Sequence, residues 1–314
     1  MSRIYEALQK AESERKERPE SRISPESMPS FEAIDQTPVA SAAVAEFDQT
    51  APFVESNFAA AEPAATGGLR FETIARHPWN PSIDKLPALL DRGPSTEQFR
   101  SLRSRLYEAR DIRPIKSILV SSGLPQEGKS FVSANLAVSL ARHKNARVLL
   151  IDGDMRRYTI HEMIGTAPSP GLADYLAGKA TLEEIMQRIE EPETPTANRS
   201  ILANLAFIPG GNGGDRAADL SGSARFGELI RTVAPLFDWI VVDSSPVLPV
   251  SDAVNLARSC DGVLLVARGG VTKYPVAQRA AAELKASNVL GFVLNAVHDA
   301  PQAGSYYGYS ANRE

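Results

Sequence analysis

From residue 117 onward, short runs of consecutive apolar residues alternate with longer stretches whose apolar positions recur every three or four residues. The runs at 117–121, 147–151, 205–208, 239–242, 262–267 and 289–294 are apolar at most positions, the mark of strands buried on both faces. Helices are predicted between them, over 129–142, 172–189, 224–233, 252–258 and 274–286. Strands alternating with helices predict an α/β fold, a mostly parallel sheet covered by helices on both faces. In such a sheet the chemistry gathers at the carboxyl ends of the strands. Ahead of the first run, a helix capped at Ser95 or Thr96 is predicted over 97–109. Phe99, Leu102 and Leu106 form its apolar side, and Glu97, Arg100 and Arg103 recur every three residues on a charged one.

The first 68 residues carry neither pattern. Residues 1–17 place Ile4, Leu8 and Ala11 on one side of a short amphipathic helix, which reads as a docking element or a frayed end. Residues 18–68 turn to Ala, Pro, Ser and acidic residues with almost no basic ones, the composition of a disordered, self-repelling linker. The expected organisation is therefore helix, linker, an α/β domain over 69–300, and a tail over 301–314. A net charge of −4 gives no general attraction for nucleic acid, and a single cysteine, Cys260, excludes an internal disulfide framework and fits a reducing cytosol. No signal peptide is expected, and no apolar run is long enough to span a bilayer. Any role at a membrane must be borrowed from a partner.

The candidate chemistry starts at the first strand. The spacing Gly123-x4-Gly128-Lys129-Ser130, after a β-branched strand and before a helix, fits a phosphate-binding P-loop. Glycines there let backbone N–H groups turn onto phosphate oxygens, Lys129 adds a point charge at the β- and γ-phosphates, and the Ser130 hydroxyl reaches Mg²⁺. The nucleotide-binding segment is thus Gly123, Leu124, Pro125, Gln126, Glu127, Gly128, Lys129, Ser130 and Phe131. Two later strands end in aspartate, giving Asp152-Gly-Asp154-Met-Arg156 and Asp243-Ser-Ser-Pro246. Phosphoryl transfer needs a metal bridging the phosphates and a group to orient or deprotonate the attacking hydroxyl. Asp152 and Asp243 join Ser130 as hard oxygen ligands for Mg²⁺, and Asp154 is the candidate general base. The run Gly210-Gly-Asn-Gly-Gly214 opens no dinucleotide-binding helix and reads as a flexible loop.

These residues together resemble the bacterial tyrosine kinases of polysaccharide export, whose fold is that of the P-loop NTPases. The phosphate loop, the Asp152-x-Asp154-x-Arg156 segment and the Asp243-x-x-Pro246 segment match the family's three nucleotide motifs in order. The Glu97-x-x-Arg100-x-x-Arg103 helix resembles its oligomerisation motif, and Ser305-Tyr306-Tyr307-Gly308-Tyr309-Ser310 resembles its tyrosine tail. The opening twelve residues further resemble cytoplasmic kinases encoded with exopolysaccharide systems. Gln126 stands where the family more often has glycine, and Ser244-Ser245 replaces Thr-Pro.

The resemblance implies ATP- and Mg²⁺-dependent autophosphorylation of Tyr306, Tyr307 and Tyr309 between subunits of a homo-oligomeric ring. It also implies activation by the cytosolic tail of a membrane chain-length regulator, a polysaccharide co-polymerase, which would recruit a cytoplasmic kinase to the inner membrane face. Asn295 would touch adenine, as in related ATPases. Two rival readings exist. A partitioning-type switch ATPase carries a second lysine just after the first loop glycine, where this chain has Leu124. An ATP-dependent scaffold would bind nucleotide without transferring phosphate.

Overall fold

A computed structural model of the chain describes residues 69–143, 146–190 and 197–297. The expected helix over 1–17, the linker over 18–68 and the tail with Tyr306, Tyr307 and Tyr309 lie outside the described residues.

Eight strands occur among the described residues: β1 (Ala75–His77), β2 (Ser117–Ser122), β3 (Val148–Asp152), β4 (Gln187–Ile189), β5 (Leu205–Ile208), β6 (Trp239–Asp243), β7 (Gly262–Arg268) and β8 (Val289–Asn295). The α-helices are α1 (Pro94–Ile112), α2 (Lys129–Ala141), α3 (Ile160–Ile164), α4 (Leu172–Leu176), α5 (Leu182–Ile185), α6 (Ala197–Leu202), α7 (Ala217–Ser221), α8 (Ala224–Val233), α9 (Asp252–Ala257) and α10 (Tyr274–Glu283). The strands form one sheet in the order β1-β4-β5-β3-β6-β2-β7-β8. Every neighbouring pair is parallel except β4 with β5, so β1 and β4 run against the other six.

Because side chains alternate along a strand, each central strand feeds two cores. Leu119, Leu149, Ile151, Ile240 and Val242 pack with Phe226 and Leu229 of α8, Leu256 of α9 and Ala280 of α10. Ile118, Val120, Val148, Leu150 and Val241 pack on the opposite face with Phe99 and Leu106 of α1 and Val132 and Leu136 of α2. Continuing that second set by one alternation gives Asp152 and Asp243. The apolar pattern that builds the α2-side core therefore delivers both carboxylates to the α2 side.

Three expectations need correction. The helix predicted over 172–189 is two short helices and a strand. Leu172, Leu176, Leu182 and Ile185 have helical spacing, but Gly178 is left-handed (φ 73°) and Thr181 starts a new helix. There the Thr181 amide donates to Glu184 Oε2 at 2.7 Å while its hydroxyl oxygen accepts the Glu184 amide, a capping box. Helix α1 starts at Pro94 after Gly93, not at Ser95 or Thr96, since the fixed φ of proline suits the first helical position. The Thr96 hydroxyl instead donates to the Pro87 carbonyl at 3.0 Å. The glycine run after β5 is tightly packed, with Gly210, Gly211 and Gly213 buried and the Pro209 and Gly210 carbonyls accepting the Leu172 and Ala173 amides.

Candidate active site

Strand β2 ends at Ser122 and α2 begins at Lys129, so the phosphate loop bridges one strand end to one helix N-terminus. Gly128 caps α2 in the left-handed region at φ 92°, and a Cβ placed on it would lie 1.9 Å from Asn295 Nδ2. Only glycine fits there. Gln126 is also left-handed, at φ 64°, a conformation that glycine adopts without strain and that a side chain rarely takes.

Asp152 and Asp243 are register partners on β3 and β6 and are fully buried. The Ser130 hydroxyl donates to Asp243 Oδ2 at 2.6 Å, and Ser133, one turn further along α2, donates to Oδ1 at 3.0 Å. Asp152 accepts the Ile160 amide at 3.1 Å and the Asp154 amide at 3.3 Å. Strand geometry stops at Asp152, and Gly153 lets the chain press against β6, donating to the Asp243 carbonyl at 3.0 Å. A Cβ on Gly153 would fall 2.5 Å from that same oxygen. The turn then aims Asp154 back at the loop, where its Oδ2 meets Lys129 Nζ at 2.9 Å. Asp154 is 3% exposed and Lys129 14%, so the pair is shielded from bulk water.

Burial pushes the Asp152 carboxyl well above the usual carboxylate range, and the neighbouring Asp243 charge pushes it further. Burial also raises Asp243, against the pull of Lys129 and the Ser130 hydroxyl. Burial alone would lower Lys129, but Asp243, Asp154 and Asp152 outweigh it and hold the ammonium above its ordinary value. The folded state thus grips a proton on Asp152 more tightly than the unfolded chain does. The resulting penalty is absent below about pH 4 and grows as pH rises toward the raised folded value. Asp152→Asn is expected to stabilise the unliganded protein, by a margin that is larger at pH 8 than at pH 5. Denaturant unfolding of both proteins at the two pH values checks this, and an equal margin at both would contradict it.

A cluster of three carboxylates, one lysine and a serine at a helix N-terminus, all at the carboxyl edge of a parallel sheet, is arranged to hold a cation and a polyphosphate together. No family model matches the chain. Over 217 residues it is 35% identical to the tyrosine-protein kinase Wzc of Salmonella typhimurium, covering 68% of this chain but only 28% of that protein. Over 222 residues it is 31% identical to the tyrosine-protein kinase YwqD of Bacillus subtilis, covering 70% of this chain and 88% of that one. The chain belongs to the bacterial tyrosine-kinase family. The kinase domain of the Escherichia coli tyrosine kinase ETK superposes with a TM-score of 0.59 at 29% identity, over 69% of this chain and 80% of that domain.

In this tyrosine-kinase-family fold, the structure brings Lys129, Ser130, Asp152, Asp154 and Asp243 together and places Glu97, Arg100 and Arg103 elsewhere, on α1. Glu97 and Arg100 pair with each other at 2.5 Å, Glu97 on an exposed position, and Arg100 also donates to the Asp91 carbonyl. Arg103 turns inward and donates to the Ser139 carbonyl near the end of α2 at 2.8 Å, where a cation complements the helix dipole. Asn295 donates through Nδ2 to the Glu127 carbonyl at 3.0 Å, so its observed contact is with the phosphate loop. Sequence reasoning missed Ser133, whose i, i+3 spacing from Ser130 was the available signal. It also missed the ion pair of Arg156 with Asp252 at 2.7 Å, which no local spacing announces.

Proposed function

We propose that this protein is an ATP-dependent tyrosine autokinase of exopolysaccharide production. The observation that carries the reading is the Lys129–Asp154 contact beside the Ser130–Asp243 pair, which sets a phosphate-binding cation, a candidate base and a metal-binding oxygen set within one buried cluster. Ser130, Asp243 and Asp152 are the residues that would hold Mg²⁺. Among the described residues no three His, Cys, Asp or Glu side chains are grouped to hold a metal unaided, so the ion would share its ligands with phosphates and water. Bound there, the ion would supply neutralisation of charge on the phosphates.

The protein's part follows from the pairing. Nucleotide draws Lys129 onto the phosphates, which releases Asp154 Oδ2 to accept a proton. A tail phenol is a weak nucleophile at neutral pH until that proton is taken. Glu97, Arg100 and Arg103 then serve assembly into a ring, in which Tyr306, Tyr307 and Tyr309 of one copy reach the site of the next. Among the described residues no helix is long and apolar enough to cross a membrane, so recruitment to the inner face falls to the chain-length regulator. Each added phosphate brings about −1.5 to −2 charges, and crowded tails repel.

Incubation with ATP and Mg²⁺, with and without the cytosolic tail of a neighbouring regulator, followed by intact mass and peptide mapping, tests the reading. The expected result is phosphate on Tyr306, Tyr307 or Tyr309. ATP turnover with no mass gain, even with the regulator present, would replace it with the switch-ATPase reading.

A further inference from the structure

Within the phosphate loop Gly123–Ser130, Glu127 is the one acid, and a negative charge in an anion cradle opposes the loop's purpose. The structure shows how the charge is managed. Glu127 is 4% exposed, and both its carboxylate oxygens are occupied. Oε2 accepts the Leu124 amide at 2.8 Å, stapling the loop across three residues. Oε1 accepts the hydroxyl of Thr272, which lies in the connection between β7 and α10. Thr272 Oγ1 in turn accepts the Arg268 amide at 2.8 Å, so the hydroxyl is held from both sides, accepting from the backbone and donating to Glu127. The Asn295 amide group holds the Glu127 carbonyl from the end of β8, and the Asn295 carbonyl accepts the Gly269 amide at 2.7 Å. The loop is therefore fastened to the β7–α10 connection and to the last strand, with its acid drawn toward that connection.

We infer that Thr272 is a positioning residue for nucleotide binding: through its hydroxyl it fixes the Glu127 carboxylate and so keeps the phosphate loop shaped for an anion. The inference rests on the reading of Gly123–Ser130 as a nucleotide site. Removing the hydroxyl frees one carboxylate oxygen in a buried setting, and the side chain loses the anchor that directs it.

Full-length wild-type, T272V, T272S and K129M proteins are titrated with a fluorescent ATP analogue in Mg²⁺, and each is melted without nucleotide. T272V, which keeps the shape and loses the hydroxyl, is expected to bind about tenfold more weakly. T272S is expected to restore binding to within about twofold. The melting temperature without nucleotide should fall for T272V, which leaves a buried carboxylate oxygen without its donor, and return with T272S. Titrations run well below each melting temperature, with circular dichroism matching wild type, then read positioning and not loss of folded protein. Wild-type binding that K129M abolishes and T272V leaves intact overturns the inference alone, as does T272S binding no better than T272V. No binding by the wild type overturns the nucleotide-site reading and the inference with it.

Discussion

Lys129→Met is expected to reduce tyrosine phosphorylation by about 10³-fold, the scale for losing a preorganised electrostatic group at a reacting centre. That factor corresponds to about 4 kcal/mol of transition-state stabilisation. The large effect follows from what surrounds the ammonium. Lys129 sits against Asp154 at 2.9 Å and feels Asp243 and Asp152 as well, so it is already placed where negative charge concentrates before any nucleotide arrives. Methionine matches the stem but leaves three buried carboxyls without that cation. Protonation relieves them more cheaply than unfolding does, so the fold should survive while nucleotide affinity falls. Arginine should not rescue the function, because a planar guanidinium cannot replace a compact ammonium in this space. Peptide mapping after incubation with ATP and Mg²⁺, run beside circular dichroism, reads both halves of the expectation. Full phosphorylation by the methionine variant would remove Lys129 from the chemistry.

Asp154→Asn is expected to lower the transfer rate by about 10²- to 10⁴-fold, the range for general acid–base assistance. Nucleotide affinity should not fall, because Ser130, Asp243 and the loop amides are untouched and Lys129, freed from its ion pair with Asp154, stays available to the phosphates. The asparagine fills the same space and can still accept from the Arg157 amide, which now donates to Asp154 Oδ1 at 3.1 Å. What it lacks is a basic oxygen. Single-turnover phosphotransfer with saturating ATP, set against an equilibrium titration of ATP, separates the two quantities. An unchanged transfer rate would take the base role away from Asp154, and affinity lost together with rate would make it a binding residue.

The sheet was legible in the sequence wherever hydrophobicity alone decides the structure. The predicted limits of the six strands that run together fall within a residue of those observed; five of them are apolar because both faces are buried, whereas β8, at the sheet's margin, is only partly buried. Strands β1 and β4 were not legible, for a physical reason visible in β4. Gln187 and Arg188 are buried, but they are buried by satisfying their polar groups. Gln187 Oε1 accepts from the Trp79 indole and the Thr166 hydroxyl, and the Arg188 guanidinium lies 3.9 Å from the centre of the Phe71 ring while donating to the Phe71 and Ala203 carbonyls. Partners that distant in sequence leave no local pattern. At the site, the residue types and their strand ends were readable, whereas the pairing of Lys129 with Asp154 depends on the turn at Gly153 and was not. The inward turn of Arg103 was equally hidden, since helical spacing assigns a face but not a partner on another helix.

The strand order has a practical corollary. The described chain enters beside β1, at one margin of the sheet, and leaves from β8 at the other, roughly 30 Å away across seven inter-strand spacings. The phosphate loop follows β2, two strands in from the exit margin. A probe or surface tether joined ahead of residue 69 therefore attaches at the margin farther from the phosphate loop, five strands from β2. One joined after residue 297 attaches at the nearer margin, two strands from the phosphate loop.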